Sequence, residues 1–186
     1  MLDVWPFGVA HHMGAVPLIW LAWLRFRGKK LDVAWWWIAG AFFVSWLADT
    51  ASHWTGHPLV SVTYPVTQAG IISAVFLNRY DAMKLVVALV VVGVADVLWQ
   101  GVQGPDVLLR TVAWLSIVGI AYPLKQLGTL RVSLLVSFGV GWFCWMVYAI
   151  DPGWPSWGTY QIVRLLGILL FCWAAVHPMP QLRLRK

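Results

Sequence analysis

The sequence predicts an all-α integral membrane protein with seven transmembrane helices, and two observations carry this prediction. First, hydrophobic residues make up 61% of the 186 residues and charged residues only 11%, against about 25% charged in soluble domains. Second, seven apolar stretches of about 20 residues are each long enough to cross a bilayer as a helix. They lie at about residues 7–24, 33–54, 58–78, 83–103, 107–124, 132–150 and 157–177. Because seven helices use nearly the whole chain, residues 1–186 are expected to form a single transmembrane domain.

Lys and Arg residues alternate between the connections and thereby predict the orientation. The connections at residues 55–57, 104–106 and 151–156 contain neither residue, whereas the other connections and the C-terminal tail are basic. The basic residues are Arg25, Arg27, Lys29, Lys30, Arg79, Lys84, Lys125, Arg131, Arg183, Arg185 and Lys186. Because positive residues stay on the cytoplasmic side, the N-terminus is predicted outside and the C-terminus in the cytoplasm. The expected location is the cell (inner) membrane. The net charge of +6 then faces anionic lipid, not nucleic acid.

The seven-helix arrangement favours a 3+1+3 parallel repeat, because helices 1–3 and 5–7 run in the same directions and helix 4 connects them. Short patterns match between the paired helices. Gly14 and Pro17 in helix 1 correspond to Gly119 and Pro123 in helix 5, and Thr63-Tyr64 in helix 3 corresponds to Thr159-Tyr160 in helix 7. In topology, orientation and size the chain resembles the SWEET and PQ-loop transporters, which implies a binding site between the repeats. The Pro-Gln pair of the second group is absent, since both matched prolines precede Leu. Chance matching of Gly, Pro and Trp is the alternative.

Polar side chains gather in the predicted outer half of the helices. The spacing of Ser45, Asp49 and His53 places them on one face of helix 2, and Arg110 lies about a turn inside helix 5. The pattern predicts an outward-facing polar cavity. The candidate substrate-binding residues are Asp49, His53, Tyr64, Gln68, Asp96, Gln100, Tyr160 and Arg164.

Arg164 is the deepest basic residue of the last helix and is expected to have an acidic partner. At a rise of about 1.5 Å per residue, Arg164 and Asp96 lie at similar depths, and charges inside a membrane normally face a partner. We therefore predict that Arg164 pairs with Asp96 or Asp49, either as a purely structural ion pair or as part of a working site.

The function that this pattern predicts is a small-molecule or ion transporter or binding protein. Asp49 and Asp96 would act as counter-charges or proton carriers, and Arg164 would anchor an acidic group or one of those carboxylates. Neutral hydrogen bonds would come from Tyr64, Gln68, Gln100 and Tyr160.

Two other classes remain open, a membrane enzyme and an accessory subunit. His11, His12, Asp49 and His53 are candidate metal ligands, although no cofactor is required and the pattern leans away from an enzyme. Ser45, Asp49 and His53 resemble the first half of the zinc site of the alkaline ceramidases and adiponectin receptors, which implies a hydrolase. The last helix has no second histidine pair, and only His177 lies near its cytoplasmic end. An enzyme of this kind would act on a lipid or isoprenoid.

The 15 tryptophans fit several roles. Those near the helix ends are expected to anchor the protein at the bilayer interface. The deeper ones either pack the helices together or line a ligand cavity. In an accessory subunit of a larger membrane complex, or in an oligomer, tryptophan-rich faces would contact the partner. The deeper tryptophans are Trp46, Trp114, Trp142, Trp145 and Trp173.

Overall fold

The computed structural model describes residues 12–55, 59–100 and 107–177, except for the side chains of residues 49, 52–55, 59–62, 100 and 154. The described residues contain seven helices and no strand, so the predicted all-α class is confirmed. The helices are α1 (Val16–Phe26, after a 3₁₀ turn at Met13–Ala15), α2 (Val33–Thr55), α3 (Leu59–Phe76), α4 (Arg79–Gln100), α5 (Val107–Ala121), α6 (Thr129–Ile150) and α7 (Trp154–Val176).

Three helices are long and apolar enough to cross a membrane. Their membrane-length segments are Arg79–Trp99 in α4, Thr129–Ile150 in α6 and Pro155–Val176 in α7. Shorter apolar helical segments lie at Met13–Phe26, Val33–Ala48 and Val107–Ala121. A membrane span needs about 20 apolar residues in succession, so length and composition identify three spans among the described residues.

Six helices form a closed ring, and α4 lies outside it. In the order α1, α2, α3, α5, α6 and α7, each helix packs against the next, and α7 packs back against α1. Helix α4 contacts α3 and α5, while the side chains of Val91, Val94 and Leu98 are exposed. Its outer surface is therefore apolar and suited to contact with lipid.

Aromatic side chains fill the interior of the ring. The ring of Phe42 on α2 lies 6.0 Å from that of Phe138 on α6 and 5.5 Å from that of Phe171 on α7. Trp35, which is fully buried, also contacts Phe171, with ring centroids 5.4 Å apart. These rings link three helices across the centre by the offset and tilted contacts that aromatic pairs favour.

The two ends of the bundle differ in charge. Every described Lys and Arg except Arg110 and Arg164 lies toward one end, which we call the basic end. There the Lys29 ammonium donates to the carbonyl of Ala175 at 2.7 Å, and Arg131 Nε donates to the carbonyl of Tyr122 at 2.8 Å. These bonds satisfy carbonyl groups at the C-terminal ends of α7 and α5, where positive charge is favourable. The opposite end, where α2, α4 and α6 end and α3, α5 and α7 begin, is called the polar end.

Helices α6 and α7 approach each other closely at a small residue. Within α6, residues Leu135–Val140 form a π-helical turn, a local widening that often occurs at functional or strained positions. Beside it, Ser133 Oγ donates to the carbonyl of Gly167 at 2.7 Å. A Cβ atom on Gly167 would lie 2.0 Å from Ser137 Oγ and 3.2 Å from Ser137 Cα, so a larger residue would crowd this contact between the helix backbones.

Candidate functional site

Arg164 lies inside the ring and bonds to α2, the helix beyond α1 in the ring. Its side chain is 7% exposed, and its Nη2 atom donates to Ser45 Oγ on α2 at 2.9 Å. Gly14, in the turn before α1, lies beside this contact, since a Cβ atom there would be 2.6 Å from Trp46 Cβ and 3.4 Å from Arg164 Nη2. The N-terminal turn therefore closes one side of the Arg164 site. Trp46 Nε1 also donates to His12 Nδ1 at 3.1 Å, which ties the same turn to α2.

Arg110, near the start of α5, is surrounded by aromatic rings. Its guanidinium carbon lies 4.2 Å from the ring centroid of Trp145, 5.0 Å from that of Tyr64 and 5.6 Å from that of Trp114. Arg110 is 8% exposed, and cation–π contacts strengthen when water is excluded, to about 2 kcal/mol or more. The three rings therefore stabilise the guanidinium at this depth and fix its position. We call them, with Arg110, the arginine box.

A hydrogen-bonded chain connects the arginine box to α2 and α3. Trp114 Nε1 donates to Gln68 Oε1 at 3.2 Å, and Gln68 Nε2 donates to the carbonyl of Ala41 at 2.8 Å. Both side chains are buried. The three side-chain polar atoms that make these two bonds therefore have partners where water does not reach them. Trp114 also stacks on Tyr160 of α7, with centroids 6.4 Å apart. Since Tyr160 precedes Arg164 by one helical turn, these contacts join the two buried arginines in one cluster.

Asp96 lies on α4, at the junction with α5. Its buried Oδ2 atom accepts a hydrogen bond from the backbone N–H of Leu109 at 3.1 Å. Leu109 is the third residue of α5, and the first four N–H groups of a helix have no partner within the helix. Asp96 thus caps α5 from a neighbouring helix, and the residue that it caps directly precedes Arg110 in the chain.

Replacing Asp96 with alanine is expected to destabilise the fold by about 1–2 kcal/mol, the usual cost of losing a helix cap. The change should lower the midpoint of thermal unfolding, followed by circular dichroism in detergent. Asp151→Ala, at an exposed aspartate, is the control. Equal midpoints for the two variants would contradict the capping role.

The predicted site residues fall into two groups. The structure brings Tyr64, Gln68, Tyr160 and Arg164 into one cluster and places Asp96 at its α4–α5 border. The side chains of Asp49, His53 and Gln100, and the whole of the metal candidate His11, lie outside the part of the chain that the structure describes. Their predicted roles therefore stay predictions.

Arg164 and Asp96 each bond to a different helix of the bundle. Arg164 donates to α2 through Ser45, and Asp96 accepts from α5 through Leu109. The Asp49 side chain lies outside the described residues. The pairing of Arg164 with Asp96 or Asp49 therefore stays a prediction.

Most of the predicted metal ligands also lie outside the described residues. Of the four candidates, only His12 has a described side chain, and its Nδ1 atom accepts from Trp46. Among the side chains that the structure describes, which exclude those of Asp49 and His53, no three His, Cys, Asp or Glu residues lie close enough together to hold a metal ion.

Two polar groups that the sequence analysis did not select also belong to this end of the bundle. Gln161 is 2% exposed, and its Oε1 atom has no hydrogen-bond partner. Thr50 Oγ1 is likewise buried without a partner. Gln161 could have been selected from the sequence, because it precedes Arg164 by three residues and residues at this spacing share a helix face. Buried polar atoms without partners are rare in proteins and call for an explanation.

Together the fold and the site define a helical protein with membrane-length helices and a buried cluster of arginine, amide and aromatic side chains. Comparisons of the chain with protein-family models, with curated proteins and with solved structures find no match. Function is therefore inferred from the contacts of the described residues.

Proposed function

We propose that this chain crosses the cell membrane seven times and binds or transports a small molecule through a chamber at its polar end. Three membrane-length helices and three shorter apolar segments support the membrane location. The described Lys and Arg residues at the basic end favour a cytoplasmic position for that end. In this orientation the polar end faces outward, with the N-terminus outside and the C-terminus in the cytoplasm.

The observation that carries this proposal is the burial of Arg110 and Arg164 among polar and aromatic side chains at one end of the ring. A charged residue within a membrane costs several kcal/mol and is commonly a functional residue for that reason. A structural protein could place apolar side chains here at lower cost. The cluster is therefore best explained as a site for a ligand.

The chemistry of the cluster favours a small acidic ligand. A guanidinium has five N–H donors in a planar fork, which suits the oxygens of a carboxylate or phosphate. Arg164 uses its Nη2 atom to reach Ser45, and this contact fixes the direction of the fork. In the proposed site Arg164 anchors the acidic group, and Arg110 of the arginine box adds a second positive charge to the same cluster. Asp49 and Asp96 would act as counter-charges or proton carriers.

Replacing Arg164 with glutamine is expected to weaken ligand binding by at least about tenfold, because a buried charged hydrogen bond contributes about 1.5–3 kcal/mol. The test uses the full chain in lipid nanodiscs and follows the midpoint of thermal unfolding with a panel of small carboxylates, phosphate and neutral sugars. Arg164→Lys, which keeps the charge, should retain part of the effect.

The matched control is Arg25→Gln, at an exposed arginine of the basic end. An acidic compound should raise the midpoint of the wild type and of this control, and not that of Arg164→Gln. Equal stabilisation of a well-folded Arg164→Gln variant would overturn the proposal. Uptake of the same compound into proteoliposomes then distinguishes a transporter from a binding protein.

A further inference from the structure

A groove runs along the outside of the ring at the basic end, where α2, α3 and α4 meet. Its volume is about 390 Å³, within the range of about 300–1,000 Å³ that is usual for ligand sites. Trp37 of α2 lines one side and Met83 and Val86 of α4 line the other, with Gly70 and Ala74 of α3 between them. Trp37 is 48% exposed and Met83 57% exposed, so the groove opens toward the outside of the bundle.

Small residues of α3 give the groove its depth. A Cβ atom on Gly70 would lie 3.2 Å from Val86 Cγ2, so glycine lets α3 and α4 approach closely at this point. Ala74 follows Gly70 by one helical turn on the same helix face, and its side chain is exposed. A larger side chain at position 74 would therefore fill the groove without displacing the core.

Arg79 lies at the mouth of the groove and is the charged residue among those that line it. It is exposed, and it is the first residue of α4 and of the membrane-length segment Arg79–Trp99. At about 1.5 Å per residue, Val86 lies about 10.5 Å farther along the helix. In a bilayer that α4 crosses, the Arg79 guanidinium therefore lies at the level of the lipid headgroups, and the apolar part of the groove lies beside the acyl chains.

The other charges at the start of α4 lie on the far side of this helix. At about 100° per residue, Asp81 and Lys84 are about 160° and 140° around the helix from Arg79, and neither lines the groove. Asp81 Oδ2 accepts from Asn78 Nδ2 at 2.7 Å, and the Lys84 ammonium lies 4.2 Å from the ring centroid of Tyr80. The groove therefore combines one positive charge at its mouth with an apolar interior.

We propose that this groove binds one anionic glycerophospholipid, with the phosphate at Arg79 and part of one acyl chain between Trp37 and Met83. A guanidinium suits the oxygens of a phosphate, and basic pockets between membrane helices bind anionic headgroups. A zwitterionic lipid would bring a second positive group to the mouth of the groove and is expected to bind more weakly. The site lies at the opposite end of the bundle from the chamber and is independent of the ligand proposed there.

The test maps lipid contacts on the full chain in nanodiscs of phosphatidylcholine. The nanodiscs contain a small fraction of phosphatidylglycerol or of phosphatidylcholine with the same photoactivatable acyl chain, and cross-linked residues are identified by mass spectrometry. We expect cross-links at Trp37 and Met83 to be about fivefold more abundant for the phosphatidylglycerol probe, the contribution of one basic residue near anionic lipid. Absence of cross-links at these two residues would overturn the proposal.

Two variants with matched controls test the two parts of the site. In Arg79→Gln the preference for phosphatidylglycerol should fall to about one, whereas Lys84→Gln, which removes a charge from the far side of α4, should retain it. In Ala74→Trp the cross-links at Trp37 and Met83 should be lost, whereas Val91→Trp, on the exposed face of α4, should keep them.

All four replaced side chains are exposed, so the unfolding midpoints in the same nanodiscs are expected to match that of the wild type. A preference for phosphatidylglycerol that survives Arg79→Gln, or cross-links that survive Ala74→Trp, would overturn the lipid site. Either result would leave the proposed function in place, because the panel of acidic compounds with Arg164→Gln tests that function separately.

Discussion

Replacing Gly167 with alanine should destabilise the protein by about 1–3 kcal/mol or more, the range for overpacking a close contact. The new Cβ atom would lie 2.0 Å from Ser137 Oγ, 3.1 Å from Ser137 Cβ and 3.2 Å from Ser137 Cα. The hydroxyl can rotate away, but the Cα atom belongs to the α6 backbone. Relief therefore requires α6 and α7 to separate, which would weaken the Ser133–Gly167 hydrogen bond of 2.7 Å. The measurement is the midpoint of thermal unfolding by circular dichroism in detergent.

The control for this substitution is Gly40→Ala on α2. Apart from its chain neighbours and the backbone of its own helix, no heavy atom lies within 4 Å of the position that a Cβ atom would take at Gly40. Alanine is favoured over glycine in a helix by about 1 kcal/mol, so this variant should be unchanged or slightly more stable. A similar midpoint for the two variants would show that the α6–α7 contact is looser than the structure indicates.

Ser137→Ala gives a second check on the same contact. Its hydroxyl is buried without a hydrogen-bond partner, so removing it alone should cost little or stabilise the fold. Combined with Gly167→Ala, it removes the 2.0 Å contact and leaves the contacts at 3.1 and 3.2 Å. The double variant should therefore recover part of the lost stability. An additive result would place the cause of destabilisation elsewhere.

The sequence predicts the helices well because apolar length is a local property. Each helix is read from its own run of residues, and the all-helical class follows directly. The position of α4 outside the ring does not follow, because lipid and protein interiors accept the same side chains. The π-helical turn at Leu135–Val140, which packs against both α5 and α7, does not follow from the apolar pattern of α6 either.

The site shows the same division between local and tertiary information. The depth of Arg164 follows from helical rise, and Ser45 lies on the α2 face that spacing marks as polar. The contact of Arg110 with Trp114 follows from their spacing of four residues on α5. The contacts with Tyr64 on α3 and Trp145 on α6 do not follow, because they join different helices. Sequence spacing identifies which residues share a face, and only packing determines which faces meet.

Replacing Trp114 with leucine is expected to destabilise the protein by about 3 kcal/mol or more, as truncation of a buried aromatic side chain usually does. Trp114 is 3% exposed, and its ring meets Phe138, Trp145 and Tyr160 from α6 and α7. It also supplies the indole N–H that Gln68 accepts. Leucine would leave a cavity, remove one ring of the arginine box and leave the buried Gln68 oxygen without this donor. All three effects act in the same direction.

Trp99→Leu on α4 is the matched control, since it makes the same change at a side chain that is 89% exposed. Trp114→Phe keeps an aromatic ring, smaller than the indole, and removes the N–H donor, so it should cost less than Trp114→Leu. We expect the unfolding midpoint to be highest for Trp99→Leu, lower for Trp114→Phe and lowest for Trp114→Leu. If Trp114→Phe matched the wild type, the Gln68 bond would contribute nothing to stability, and the ring contacts alone would hold the arginine box. If Trp114→Leu matched Trp99→Leu, the Trp114 ring would not be needed, and Tyr64 and Trp145 alone would support Arg110.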